Sequence, residues 1–115
     1  MYECKRYAVA LKENELLIGT VGMGYEDTVN EVEMAYFIDE DYQGNGYATE
    51  ALTAVSDYLL SERNYHLVEC SCNELNVASS RVMFKAGFSK DGYIKGRRIN
   101  HDGSYSGVEY YSKQL

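Results

Sequence analysis

The sequence predicts an α/β (α+β) fold, a mixed sheet carrying two helices. Three observations lead there. Apolar residues alternate with a period of two over Glu31 to Ile38, and the period changes to 3.6 from Tyr47. The elements then follow in the order strand, strand, strand, helix, strand, helix, strand, strand. The chain's 115 residues and 13.1 kDa suit one domain over residues 1–115 with a real core. Its 45% apolar and 25% charged residues are ordinary globular usage and exclude a disordered or collagen-like chain.

The first strand is expected over Tyr7 to Leu11, followed by a turn at Glu13-Asn14-Glu15 and a second strand over Leu16 to Met23. Gly19 and Gly22 weaken that second strand or mark a bulge. In the third strand Val32, Met34, Tyr36 and Ile38 face one way, and Glu33, Ala35 and Phe37 the other. A polar connection from Asp39 leads to Gln43-Gly44-Asn45-Gly46. The first helix carries its apolar stripe on Ala48, Ala51, Leu52, Val55, Tyr58 and Leu59, with a stop at Asn64. His66 to Cys72 reads as a strand. Asn76 caps a second helix through Ala86, and Gly87 suits the position after its end. Phe88–Ile99 and Tyr105–Ser112 form a terminal pair joined by Asn100-His101-Asp102-Gly103.

The net charge of −7 disfavours a nonspecific nucleic-acid binder. Residues 1–60 hold 3 Lys+Arg against 12 Asp+Glu, and residues 61–115 hold 8 against 6. That division suits either a solvated surface or an acidic face for a cation beside a basic face for an anion. No apolar run approaches the roughly 18 residues that span a bilayer, and Met1 to Arg6 lacks the apolar stretch of a secretory signal. Three cysteines point to a reducing cytoplasm rather than a disulfide framework. Cys70 and Cys72 share one strand face, a poor geometry for a disulfide. With only His66 and His101 elsewhere, no metal site is expected. Cys4, Cys70 and Cys72 lie in no nucleophile motif, and no serine sits in a Gly-x-Ser-x-Gly elbow.

The segment that carries chemistry is the strand–loop–helix from Phe37 to Leu52. Gly44 and Gly46 allow a ligand to approach the backbone, and a helix start leaves N–H groups free with about half a positive charge. Such a loop suits a phosphate, or is simply a tight turn. It lacks the Gly-Lys-Ser/Thr of a Walker loop and the third glycine of a GxGxxG fingerprint.

Gln43-Gly44-Asn45-Gly46-Tyr47-Ala48 resembles the Q/R-x-x-G-x-G/A signature of the GNAT acetyltransferases. Its continuation through Thr49-Glu50-Ala51 is similar to the RimJ/RimL branch that modifies ribosomal-protein N-termini. Asn76, Ser79, Val82, Lys85 and Gly87-Phe88 resemble that branch's N-x-x-S-x-x-V-x-x-K-x-G-F segment. The resemblance implies a mixed, mostly antiparallel GNAT-like sheet with two helices. It also implies an N-terminal truncation, because family members carry a strand and two helices before the segment where this sequence starts.

The resemblance further implies that acetyl-coenzyme A is the cofactor, its pyrophosphate on the amides of Gln43, Gly44, Asn45, Gly46, Tyr47 and Ala48. Phe37 and Ile38 would offer backbone groups to the pantetheine arm, and Asn76 would stand near it, as ligand contact, helix cap or both. Glu33 matches the strand that carries a general base in several relatives; a solvent-facing residue is the other reading, and Glu31 is the substitute. Ser79 matches a serine proposed to donate a proton to the leaving thiolate and to lie at the cofactor. Where many relatives carry a tyrosine four residues before the Gly-Phe glycine, this chain has Met83. Arg81 and Lys85 would meet coenzyme A phosphates or solvent.

The function so implied is transfer of an acetyl group to a primary amine, a protein N-terminus or a small molecule, by direct attack. The acidic half suits a cationic acceptor, and an exposed first strand suits a homodimer. A non-catalytic acyl-CoA-binding module lacking the acceptor half is the alternative. A different nucleotide-binding domain would rest on the glycine loop alone.

Overall fold

A computed structural model describes residues 4–26 and 30–115, with the side chains of Cys4, Lys5, Tyr25 and Glu26 outside that description. The expectations for Met1 to Glu3 and for the Cys4 thiol therefore lie outside the described residues. Strands β1 (Cys4–Ala10), β2 (Leu17–Glu26) and β3 (Glu31–Ile38) come first, and a 3-10 turn (Glu40–Tyr42) precedes helix α1 (Tyr47–Ser61). Strand β4 (Leu67–Asn73), helix α2 (Val77–Lys85) and strands β5 (Ser89–Ile99) and β6 (Tyr105–Lys113) complete the chain. The eight expected strands and helices are all present.

The six strands form one sheet in the order β1-β2-β3-β4-β6-β5. Among the described residues only β3 and β4 run parallel, because α1 crosses over between them. The other pairs are antiparallel, so the sheet is mixed and mostly antiparallel, as the resemblance implies. The glycines of β2 produce no bulge against β3, whose register runs unbroken from Gly19↔Ile38 to Glu26↔Glu31. Against β1 the expected bulge is present in β2: Val9 pairs with Gly19 and Ala10 with Leu17, which leaves Ile18 unopposed beside Gly19. The irregularity is thus confined to the β1 side of β2, and regular pairing with β3 carries the strand through Gly22.

Both helices pack on one face of the sheet. Val21, Met23, Val32, Met34, Val68 and Cys70 from the strands meet Leu52, Leu59, Leu60 and Met83 from the helices. Complete burial of a leucine such as Leu59 stabilises by roughly 1.5–3 kcal/mol. The apolar stripe of α1 is rotated from the expected one. Tyr58 is 42% exposed while Ser56 and Leu60 are buried, and the buried Ser56 Oγ is satisfied by accepting from Lys113 Nζ at 2.9 Å. Asn64, in the left-handed region at φ 59°, follows the last turn of α1, which ends at Ser61. The Asn76 side chain caps α2 by accepting from the Ser79 amide at 3.0 Å, and Gly87 takes φ 96° just beyond the helix. Cys70 and Cys72 are free and buried, both on the helix face.

Candidate functional site

The parallel pair β3 and β4 holds together only from Glu31↔Leu67 to Met34↔Cys70. Beyond that register β3 continues to Ile38 and β4 to Asn73 without pairing, so their carboxyl ends diverge. Ligands of sheets with parallel strands collect at such carboxyl ends, where the following loops and helix N-termini flank a crevice. Here α1 begins after β3, and α2 after β4.

The ladder alternation decides which groups reach the opening. Asp39 N–H donates to the Ile18 carbonyl at 2.7 Å, and a Cβ on Gly19 would overlap the Phe37 carbonyl oxygen. The main-chain groups of Phe37 and Asp39 therefore face β2, and those of Tyr36 and Ile38 alternate toward the opening. The Ile38 carbonyl already accepts from Gln43 Nε2 at 2.9 Å, which ties the glycine loop to the end of β3. The Phe37 ring is 58% exposed on the sheet face without helices.

Gly44 and Gly46 both adopt φ 81°, with nothing within 4 Å of where a Cβ would stand. Gly46 is the N-cap of α1 and supplies no side-chain hydrogen bond. Among the described residues the amides of Gly44 through Thr49 have no acceptor. Asn45 spends its side-chain amide on the Tyr42 and Gln43 carbonyls, each at 3.3 Å, which stiffens the loop. The result is a row of unpaired N–H groups at a positive helix end, in front of open space. It is an anion cradle in form.

The start of α2 supplies the second part. Asn76 and Ser79 line a cavity of about 470 Å³ together with Cys72 and Asn73 of β4 and Arg98 and His101 of the β5–β6 end. Asn76 Oδ1 is engaged as the cap, which leaves its Nδ2 without a partner among the described residues. Tyr36 O–H donates to Ser79 Oγ at 2.9 Å, joining β3 to the first turn of α2. Burial pushes the Tyr36 phenol above its ordinary value of 10.0. Burial also pushes the Cys70 thiol up to about 12, which makes it an inert packing group.

Glu33 stands apart from these. It is exposed on the helix-free face and pairs in register with Glu69, whereas Tyr36 and Ser79 meet on the helix side. Glu31 lies on the same face as Glu33, half-exposed. Arg81 and Lys85 are exposed on α2, and Met83 is wholly buried in the core. The structure thus gathers Gln43 to Ala48 at one helix start and Asn76 with Ser79 at the other, and leaves Glu33 across the sheet. Tyr36 is the residue the sequence reading missed, since alternation marks it only as an inward core position. A second cavity, of about 440 Å³ between β1 and α1, contains Tyr47 but no other expected site residue. Among the described residues no group of three or more His, Cys, Asp or Glu could hold a metal, and no helix is long and apolar enough to cross a membrane.

Residues 2–89 match the family model described as "Acetyltransferase (GNAT) domain". The uncharacterized N-acetyltransferase YnaD of Bacillus subtilis is 31% identical over 91 residues, covering 79% of this chain and 54% of that protein. The ribosomal-protein-serine acetyltransferase of Escherichia coli is 28% identical over 103 residues, covering 89% of this chain and 56% of that protein. A crystal structure of a GNAT-family acetyltransferase from Bacillus anthracis superposes with a TM-score of 0.85 at 28% identity, covering 96% of this chain and 66% of that one. The chain spans about half the length of the curated relatives it matches.

Proposed function

The chain belongs to the acetyltransferase (GNAT) domain family, and on that premise we propose that it binds acetyl-coenzyme A and transfers the acetyl group to a primary amine. The observation that carries the reading is the row of unpaired amides from Gly44 to Thr49 beside the diverging ends of β3 and β4. The pyrophosphate rests on those amides, and backbone donation supplies most of its binding, since the loop lies in the acidic half of the chain. The pantetheine arm follows β3 past Tyr36, Phe37 and Ile38, with Asn76 Nδ2 available to it from the other side. The thioester then lies in the opening between the two sheet faces.

The acceptor enters from the helix-free face, where Glu31 and Glu33 favour an ammonium ion. Glu33 removes its proton, because only the neutral amine can attack. The nitrogen lone pair forms a bond to the carbonyl carbon, the carbon–sulfur bond breaks, and the thiolate leaves on the helix side. Ser79 donates there. The acceptor is a protein N-terminus or a small amine. A reducing cytoplasm and a homodimer belong to the same reading, supported by the free cysteines and by β1 as an outermost strand.

The test is a pair of variants at one position. Asparagine and aspartate have the same shape and both tolerate left-handed φ. Gly46→Asn should retain measurable acetyl-CoA binding by calorimetry, and Gly46→Asp should weaken it at least tenfold further, which is a difference of about 1.4 kcal/mol. Equal affinity for the two would remove the loop from the phosphate site. Thiol release with amine acceptors then separates transfer from cofactor binding alone.

A further inference from the structure

We propose that Tyr36 is a positioning residue for the thiolate side of the reaction, holding Ser79 Oγ as an acceptor so that the Ser79 proton is aimed at the coenzyme sulfur. The proposal rests on the reading of the chain as an acetyl-CoA-binding transferase.

Four observations support it. Tyr36 O–H donates to Ser79 Oγ at 2.9 Å, across the gap between β3 and α2. Ser79 lines the cavity bounded by the end of β4, the start of α2 and the β5–β6 end, and Tyr36 does not, so the hydroxyl facing that space is that of Ser79. The neighbouring Ser80 gives its proton back to the Val77 carbonyl at 2.9 Å, the usual fate of a serine in a helix. Ser79 makes no such bond among the described residues, and its amide is held by Asn76. The serine is thus fixed at two points with one proton uncommitted. Burial keeps Tyr36 in its protonated, donating form over the physiological range.

The chemistry favours a pair over a lone serine. An alcohol is a far weaker acid than a phenol, and donation from Tyr36 polarises the Ser79 O–H. As the carbon–sulfur bond breaks, its electron pair stays on sulfur, Ser79 donates to it and Tyr36 donates to Ser79. If the Ser79 proton passes to sulfur, the Tyr36 proton follows to Ser79 Oγ and the phenolate regains a proton from water. The balance closes with the proton that the acceptor amine loses on the opposite face.

Bound coenzyme A provides a readout that needs no turnover. With the carbon next to sulfur labelled, NMR follows its thiol titration on the wild type, on Tyr36→Phe and on Ser79→Ala. Cys70, Cys72, Arg98 and His101 are common to all three, and Glu33 and Glu69 lie on the far face, so differences isolate the hydroxyl pair. Tyr36→Phe should raise the bound thiol's pKa by about half a unit to one unit, and Ser79→Ala by at least as much. Tyr36→Phe added to Ser79→Ala should raise it no further, because Tyr36 acts through Ser79. In turnover the single change should lower kcat about tenfold with KM for acetyl-CoA unchanged. A chain that binds no coenzyme A overturns the reading of function and this inference with it. Binding with a thiol pKa untouched by Tyr36→Phe, or moved equally in the Ser79→Ala background, overturns the inference alone.

Discussion

Glu109 shows how a single residue ties the sheet edge to solution conditions. Its carboxylate pairs with Lys90 Nζ at 3.0 Å, accepts from Tyr111 O–H at 3.0 Å and lies 3.9 Å from Cys72 Sγ. The Lys90 bond, with Tyr111 adding to it, holds Glu109 below its ordinary value of 4.5. A carboxyl depressed in the folded state contributes stability above its unfolded value and loses it as pH falls through the folded one. Thermal unfolding temperatures of wild type and Glu109→Gln should therefore draw together as pH drops below about 4.5. Parallel curves through that range would sever the link. Tyrosine use follows the same local logic. Tyr36, Tyr93 and Tyr111 bury part of a ring and pass the hydroxyl to Ser79, Glu74 and Glu109.

Among the elements, β2 and β6 carry the constraints that position the site. Gly19 lets β2 approach β3 so closely that an added Cβ would meet the Phe37 carbonyl and Ile38. Gly19→Ala should cost about 1–3 kcal/mol in denaturant unfolding, the usual range for overpacking a fitted interior. It should also disturb the end of β3, where Ile38 receives Gln43. Gly22→Ala, with its nearest neighbour at 3.5 Å, is the matched control. Lys113 on β6 reaches both helices: Nζ donates to Ser56 Oγ and to the Ala86 carbonyl, and pairs with Asp57 at 2.7 Å. Lys113→Met should lower stability by about 1.5–3 kcal/mol, the scale of hydrogen bonds to a charged group. The chemical-denaturation midpoint would report it, and an unchanged midpoint would show the strut to be dispensable. These elements also mark how far the sequence could be read. Alternation, caps and turn glycines identified every strand and helix within a few residues. The burial of Ser56 was not legible, since its partner lies 57 positions away.

At the scale of the whole molecule, the sheet formed by the described residues has β1 at one side and β5 at the other, each paired there along a single edge. Unpaired strand edges favour association, and the proposed homodimer predicts a species of twice the 13.1 kDa chain mass in sedimentation velocity. A single species at the chain mass across the concentration range would count against it. The central feature of the fold is also a whole-molecule property. β3 and β4 part because β2 holds one strand to its end and β6 holds the other.

The sequence by itself determined the element order, the two helix starts and the glycine loop, because these depend on periodicity, caps and φ preferences within a few neighbours. It also placed Glu33 and Tyr36 on opposite faces of one strand, through the period of two. Only the tertiary structure decided that β3 and β4 diverge after Met34, that Phe37 turns its carbonyl to β2, and that Tyr36 reaches Ser79 from 43 positions away. Such contacts depend on pairing register and helix placement across the whole chain, and no local pattern of residues encodes them.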